Sequence, residues 1–232
     1  MEMSPNMLVG PEEGVLPQAL RIVITVALPF VIVLSNVRLV LLPWFPVFEY
    51  SRNGFPSDPY GMTIDERRVH ARRAVDYLLN GDGIEFLAEQ RFADGTSLYN
   101  ERELRHMQDV KVVVGVVLWV WRVATILAII SGLVLVRDPG TRSLLRGALM
   151  IGATIVVVIL LGLLLYIMLN FNSFFTNFHR VFFESGTWTF SYSDTLIRLF
   201  PLRFWSDVAL LISGASLLEG FLVLLWTRFF YW

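Results

Sequence analysis

The chain has 232 residues, 55% of them hydrophobic and 17% charged, with a net charge of −1, a mean hydropathy of +0.60 and no cysteine. So apolar a composition predicts a polytopic membrane protein, and the near-neutral charge offers no footprint for nucleic acid. The absence of cysteine removes disulfides, thiolate nucleophiles and Cys-based metal sites together.

Four apolar runs reach the about 20 helical residues needed to cross a ~30 Å hydrocarbon core. In chain order they predict a cytoplasmic tail over 1–19, a transmembrane helix over 20–42, an extracytoplasmic cap over 43–110 and a second transmembrane helix over 111–136. A cytoplasmic turn over 137–143 follows, then a third transmembrane helix over 144–169, an aromatic-rich extracytoplasmic connector over 170–207 and a fourth over 208–231. The expected fold is all-α: four transmembrane helices with a mostly helical cap. The first run lacks a basic n-region and is too long for an h-region. It also ends in Pro43, Trp44, Phe45 and Pro46 rather than a small-residue cleavage site, so it reads as a retained span. Arg137, Arg142 and Arg146 crowd the short turn and favour placing it in the cytoplasm, which puts cap and connector outside.

The cap opens with a Pro- and aromatic-rich turn. Thr63 with Glu66 has the form of a capping box, and the helix it starts should end near Gly81, Asp82 and Gly83. Ile64, Ala71, Val75 and Leu78 recur at helical spacing, which predicts a packed face and leaves Arg67, Arg68, Arg72 and Arg73 in water or against headgroups. Asn100 with Glu103 repeats the capping pattern and starts a polar helix that runs straight into the second span.

There are three histidines. His70 lies among arginines and reads as a solvated surface residue. His106 lies just before the second span, with Glu103 and Asp109 each three residues away and able to share its helical face. His179 lies beyond the third span, with Asn172 and Thr176 on its face. Antiparallel spans place His106 and His179 in one shallow outer layer, where imidazoles can take and give protons near neutrality. The chain has no GxSxG elbow, HExxH or GxxxxGK[ST] loop. The residues alone leave three readings open: acid–base work by imidazole, structural histidines in a non-enzymatic lipid-binding accessory protein, or a zinc-dependent lipid hydrolase that holds metal through His106, His179 and Glu103 or Asp109.

Two charges fall deep inside spans, far from either end. Arg122 and Glu219 each lie about eleven residues from the outer end, near ~16 Å depth at 1.5 Å rise per residue. A lone ion at the bilayer centre costs at least ~2.5 kcal/mol on insertion scales, which predicts an intramembrane pair. Arg38, a turn from the outer end of the first span, is placed to orient an ester carbonyl or phosphate, or to snorkel.

The connector from Asn177 to Trp205 is dense in rings. Such a segment suits either an interfacial belt or a surface that meets lipid. ERELRHMQDVK before the second span, and NFHRVFF followed by GTWTF, DTLIRLFP and FW before the fourth, resemble the bacterial lipoprotein intramolecular transacylase family. The resemblance covers most of the chain. It implies a multi-pass enzyme of the bacterial cytoplasmic membrane with its active site at the outer boundary between cap and membrane, no cofactor and no obligate protein partner. The implied reaction moves the sn-2 acyl chain of a diacylglyceryl-modified lipoprotein to the α-amino group of its N-terminal cysteine, with membrane lipid around it. Catalytic histidines of that family map onto His106 and His179. On this reading Glu103, Asp109 and Arg38 orient or stabilise charge, and Phe175, Phe178, Phe182 and Trp188 line the substrate. Phe200, Phe204 and Trp205 are left to the anchoring belt.

Overall fold

The computed structural model describes residues 14–229; much of the expected tail and the last two residues of the fourth span lie outside these. Among the described residues the chain is all-helical, with no named strand and one isolated bridge between Arg91 and Ser97. The helices run α1 Val15–Val40, α2 Trp44–Tyr50, α3 Ile64–Leu79, α4 Glu85–Ala88, α5 Glu101–Arg137, α6 Arg142–Leu169, α7 Phe171–Phe182, α8 Thr195–Leu199 and α9 Leu202–Phe229. Four of them, α1, α5, α6 and α9, are long and apolar enough to cross a membrane.

The chain folds into two compact units, to both of which the four long helices contribute. One comprises the chain through Ser35, Val120–Gly162 and the chain from Gly214 on. Its helices approach closely at small residues. A Cβ on Gly152 would sit 3.0 Å from Leu28 Cδ2 and 3.1 Å from the Thr25 carbonyl, so α6 and α1 touch almost backbone to side chain there. Gly220 of α9 meets Val156 and Val157 at 3.1 Å in the same way. With no water to expel between helices in lipid, such close van der Waals approach is what holds them. At the turn after α5, Thr141 Oγ1 donates to the Leu135 carbonyl at 2.8 Å and Arg142 Nε to the Val136 carbonyl at 2.9 Å. Carbonyls that the helix end leaves open are thereby satisfied.

The other unit spans Asn36–Trp119 and Leu163–Ser213 and holds the larger core, built on Phe45, Tyr50, Tyr77, Leu87, Leu98, Leu199 and Phe204. The Pro- and aromatic-rich opening of the cap is a short helix, α2, whose Phe45 and Tyr50 are buried. The capping box at α3 is formed on both sides: Thr63 Oγ1 accepts from the Glu66 N–H, and Glu66 Oε2 accepts from the Thr63 N–H at 2.7 Å. The solvated arginine face expected on α3 needs correction. Arg67 is 2% exposed, its guanidinium 5.1 Å from the centroids of Tyr50 and Phe55 and 2.6 Å from the Pro56 carbonyl oxygen, to which it donates. Ring faces and a carbonyl replace water around the buried cation.

Ties distant in sequence hold α8 in place. The Asp58 side chain, fully buried, pairs with Arg198 at 2.9 Å; the Tyr50 hydroxyl donates to the Leu199 carbonyl; and the Thr195 hydroxyl donates to the Leu98 carbonyl. α5 is one continuous helix of 37 residues, as its polar start running into an apolar run implies.

Candidate active site

α6 and α7 are separate helices. Asn170 breaks the chain out of helical geometry (φ −155°, ψ 80°), and its side-chain oxygen caps α7 by accepting from Ser173 N–H at 3.0 Å. His179 therefore does not lie along an extension of the third span. Its side chain is oriented by α7 itself: Nδ1 sits 2.7 Å from the Phe175 carbonyl oxygen one turn earlier. A carbonyl only accepts, so Nδ1 carries the hydrogen and Nε2 of the neutral ring holds a free lone pair.

His106, on the second turn of α5, is 8% exposed. Its ring centroid lies 6.3 Å from that of His179 with the planes 24° apart, and the edges of Phe183 and Phe190 enclose it at 4.9 and 5.3 Å. Phe175 and Trp188 flank His179 at 4.1 and 4.9 Å. Both imidazoles line a mostly apolar cavity of about 140 Å³, together with Phe175, Trp188, Phe190 and Phe200 among others. Burial lowers the His106 pKa to about 4, helped by the neighbouring His179, and burial lowers that of His179 as well against the pull of its carbonyl partner. Both rings are neutral at neutral pH.

The carboxylates expected to orient His106 do not do so. Glu103, 1% exposed, accepts from the Asn100 N–H at 2.9 Å through Oε2 and from the Leu196 N–H at 2.7 Å through Oε1. It clamps the start of α5 to the start of α8. Burial raises its pKa, opposed by those two backbone donors. Asp109 is half-buried and makes no hydrogen bond to His106, whose Nδ1 has no partner among the described residues. Among the described residues no three His, Asp or Glu side chains converge as a metal site would require.

Of the other expected residues, Phe175 and Trp188 line the cavity, whereas Phe178 and Phe182 stand on the exposed side of α7, at 44% and 46%. Helical geometry separates them: Phe175 and His179 are four apart on one face, and Phe178 with Phe182 form the adjacent stripe. Arg38 is exposed in the last turn of α1 and does not line the cavity. Arg122 and Glu219 lie in the other unit, on α5 and α9. His70 is half-buried, with Nδ1 3.3 Å from Gln90 Oε1.

Phe200, Phe204 and Trp205, read from sequence as belt residues, line the cavity, as do Phe190, Met107 and Leu196. Val110, also in the lining, follows His106 by four positions, so helical spacing from that histidine marks it; nothing local marks Met107, Phe200 or Phe204.

The family model for lipoprotein intramolecular transacylase Lit matches residues 22–205. The chain belongs to that family. A protein of Aquifex aeolicus (strain VF5), described as uncharacterized, is 30% identical over 214 residues, covering 88% of this chain and 91% of its own. The in meso structure of the membrane integral Lit from Bacillus cereus superposes with a TM-score of 0.70 at 22% identity, covering 92% of this chain and 94% of the other. A variant of that protein with one histidine replaced by arginine gives 0.67 at 21% identity, over 92% and 91% of the two chains. The Lit family is an acyltransferase family, and this chain has its membrane-integral, all-helical fold.

Proposed function

We propose that this protein moves the sn-2 acyl chain of a diacylglyceryl-modified lipoprotein to the α-amino group of its N-terminal cysteine, leaving the lyso-form lipoprotein. The observation that carries the reading is a pair of imidazoles, from α5 and α7, in one largely apolar cavity. An α-amino group of pKa near 7.7–8.0 is partly protonated at neutral pH and must lose a proton to attack an ester.

His179 is the base. Its Nδ1–H is held by the Phe175 carbonyl, which leaves Nε2 to accept the proton of the amine. As nitrogen bonds to the ester carbonyl carbon and the bond from that carbon to the glyceryl oxygen breaks, the glyceryl alkoxide takes up a proton and the acyl group ends as an amide. His106 is the acid, acting as a relay. Neutral at rest, it gives the alkoxide a proton only after taking up the one that the reaction releases. Nucleophile and electrophile belong to one substrate, so folding the lipid head into a reactive pose can supply about 7–11 kcal/mol, with no serine or cysteine acyl-enzyme. The rings around the cavity exclude the water that would otherwise hydrolyse the ester. The site faces the outer side of the bacterial cytoplasmic membrane, where diacylglyceryl lipoprotein and membrane lipid reach it.

The test is expression in a bacterium with defined diacylglyceryl lipoproteins, with acyl positions on the N-terminal cysteine read by mass spectrometry. N-acyl, lyso-form product is expected from the wild type and none from His106→Ala or His179→Ala. An unchanged pattern with folded protein in the membrane refutes the reading.

A further inference from the structure

Six buried side-chain polar atoms have no hydrogen-bond partner among the described residues, and two belong to residues that line the cavity: His106 Nδ1 and Trp188 Nε1. The indole nitrogen is a donor and nothing else. A buried donor without an acceptor has lost its water with nothing in return, and a substrate that brings an acceptor to it removes that penalty. Trp188 is also fixed beside the base, its ring centroid 4.9 Å from that of His179 with the planes 35° apart. Arg38, the cation expected from sequence to meet an ester carbonyl, does not line the cavity.

We propose that the Trp188 indole N–H donates to the carbonyl oxygen of the acyl group under attack and stabilises the oxyanion of the tetrahedral intermediate. The inference rests on the acyl-transfer reading above. In the addition step the amine nitrogen bonds to the ester carbon, the carbonyl π pair moves to oxygen, and Trp188 hydrogen-bonds to that charge while His179 holds the amine proton. In the collapse step the pair returns, the carbon–glyceryl oxygen bond breaks, the proton goes to the glyceryl oxygen, and Trp188 is left facing a neutral amide carbonyl. A fixed donor in a water-poor site acts most strongly where the charge develops.

The test compares transfer by the purified full-length protein with Trp188 intact, Trp188→Phe, and Trp188 replaced by 3-benzothienylalanine, which keeps the bicyclic shape and puts sulfur in place of N–H. Loss of one oxyanion donor predicts a fall in kcat of roughly 10²- to 10³-fold, with KM and Tm little changed. The benzothienyl variant, which preserves packing, should fall as far as the phenylalanine variant. Benzothienyl protein with wild-type kcat overturns the role of Trp188 and leaves the acyl-transfer reading intact. No transfer by the folded wild type overturns both.

Discussion

Replacing Glu103 by Gln separates the clamp seen in the structure from the orienting role expected from sequence. Each carboxylate oxygen accepts one backbone N–H, Leu196 at 2.7 Å and Asn100 at 2.9 Å, in a side chain 1% exposed. Glutamine offers one oxygen and one NH2. Whichever way it turns, a donor faces one of the two N–H groups. One charge-assisted bond is worth about 1.5–3 kcal/mol, and a buried donor left without a partner costs about 1–3; since these overlap, Glu103→Gln should destabilise by about 2–4 kcal/mol. For a chain of this size that lowers Tm by roughly 4–16 °C. Thermal unfolding in detergent reads the shift. Transfer assayed well below the new Tm should keep the wild-type pH profile, because Glu103 makes no hydrogen bond to His106. A Tm within 1 °C of wild type, or a displaced pH profile in stable protein, would refute the reasoning.

Other expectations follow from the same geometry. His106 has its pKa lowered from 6.5 to about 4, so below pH 6.5 the unfolded chain binds more protons than the folded one. Stability should therefore fall as pH drops from 6.5 towards 4, by up to about 3 kcal/mol from this group. Unfolding midpoints at pH 7.5 and 5 should differ less in His106→Gln than in wild type, and equal differences would contradict the assignment. Burial of His179 likewise places its own part of the acid limb below pH 6.5, beneath that of the substrate amine, which a profile of kcat/KM against pH checks. Phe204→Ala, at a site 4% exposed that lines both core and cavity, should cost about 3–5 kcal/mol, whereas Phe182→Ala on the exposed side of α7 should leave stability within about 1 kcal/mol, both read by unfolding in detergent. If Arg122 and Glu219 neutralise each other, Arg122→Leu destabilises and Arg122→Leu with Glu219→Leu restores stability; a double variant as unstable as the single one refutes the pair.

The residues themselves determine the four long helices, because a run of about 20 apolar side chains has few other stable forms in a membrane protein. The caps at Thr63 and Asn100 are equally local, since an Ncap oxygen and an N3 carboxylate need only three residues of helix between them. His106 and His179 stand out in the same way: of the three histidines they are the two that lie in shallow stretches beside spans. Tertiary structure decided what each polar group near them does. Glu103 shares a helical face with His106, yet its oxygens go to two helix starts, one of them 93 residues away, because α8 packs there. Arg67 leaves water for the rings of Tyr50 and Phe55, which no periodicity on α3 can report. The break at Asn170 turns α7 into a helix of its own, so that Phe175 faces the cavity while Phe178 and Phe182 do not. Periodicity can name the faces of a helix, but which face meets a partner depends on chain that lies far away in sequence.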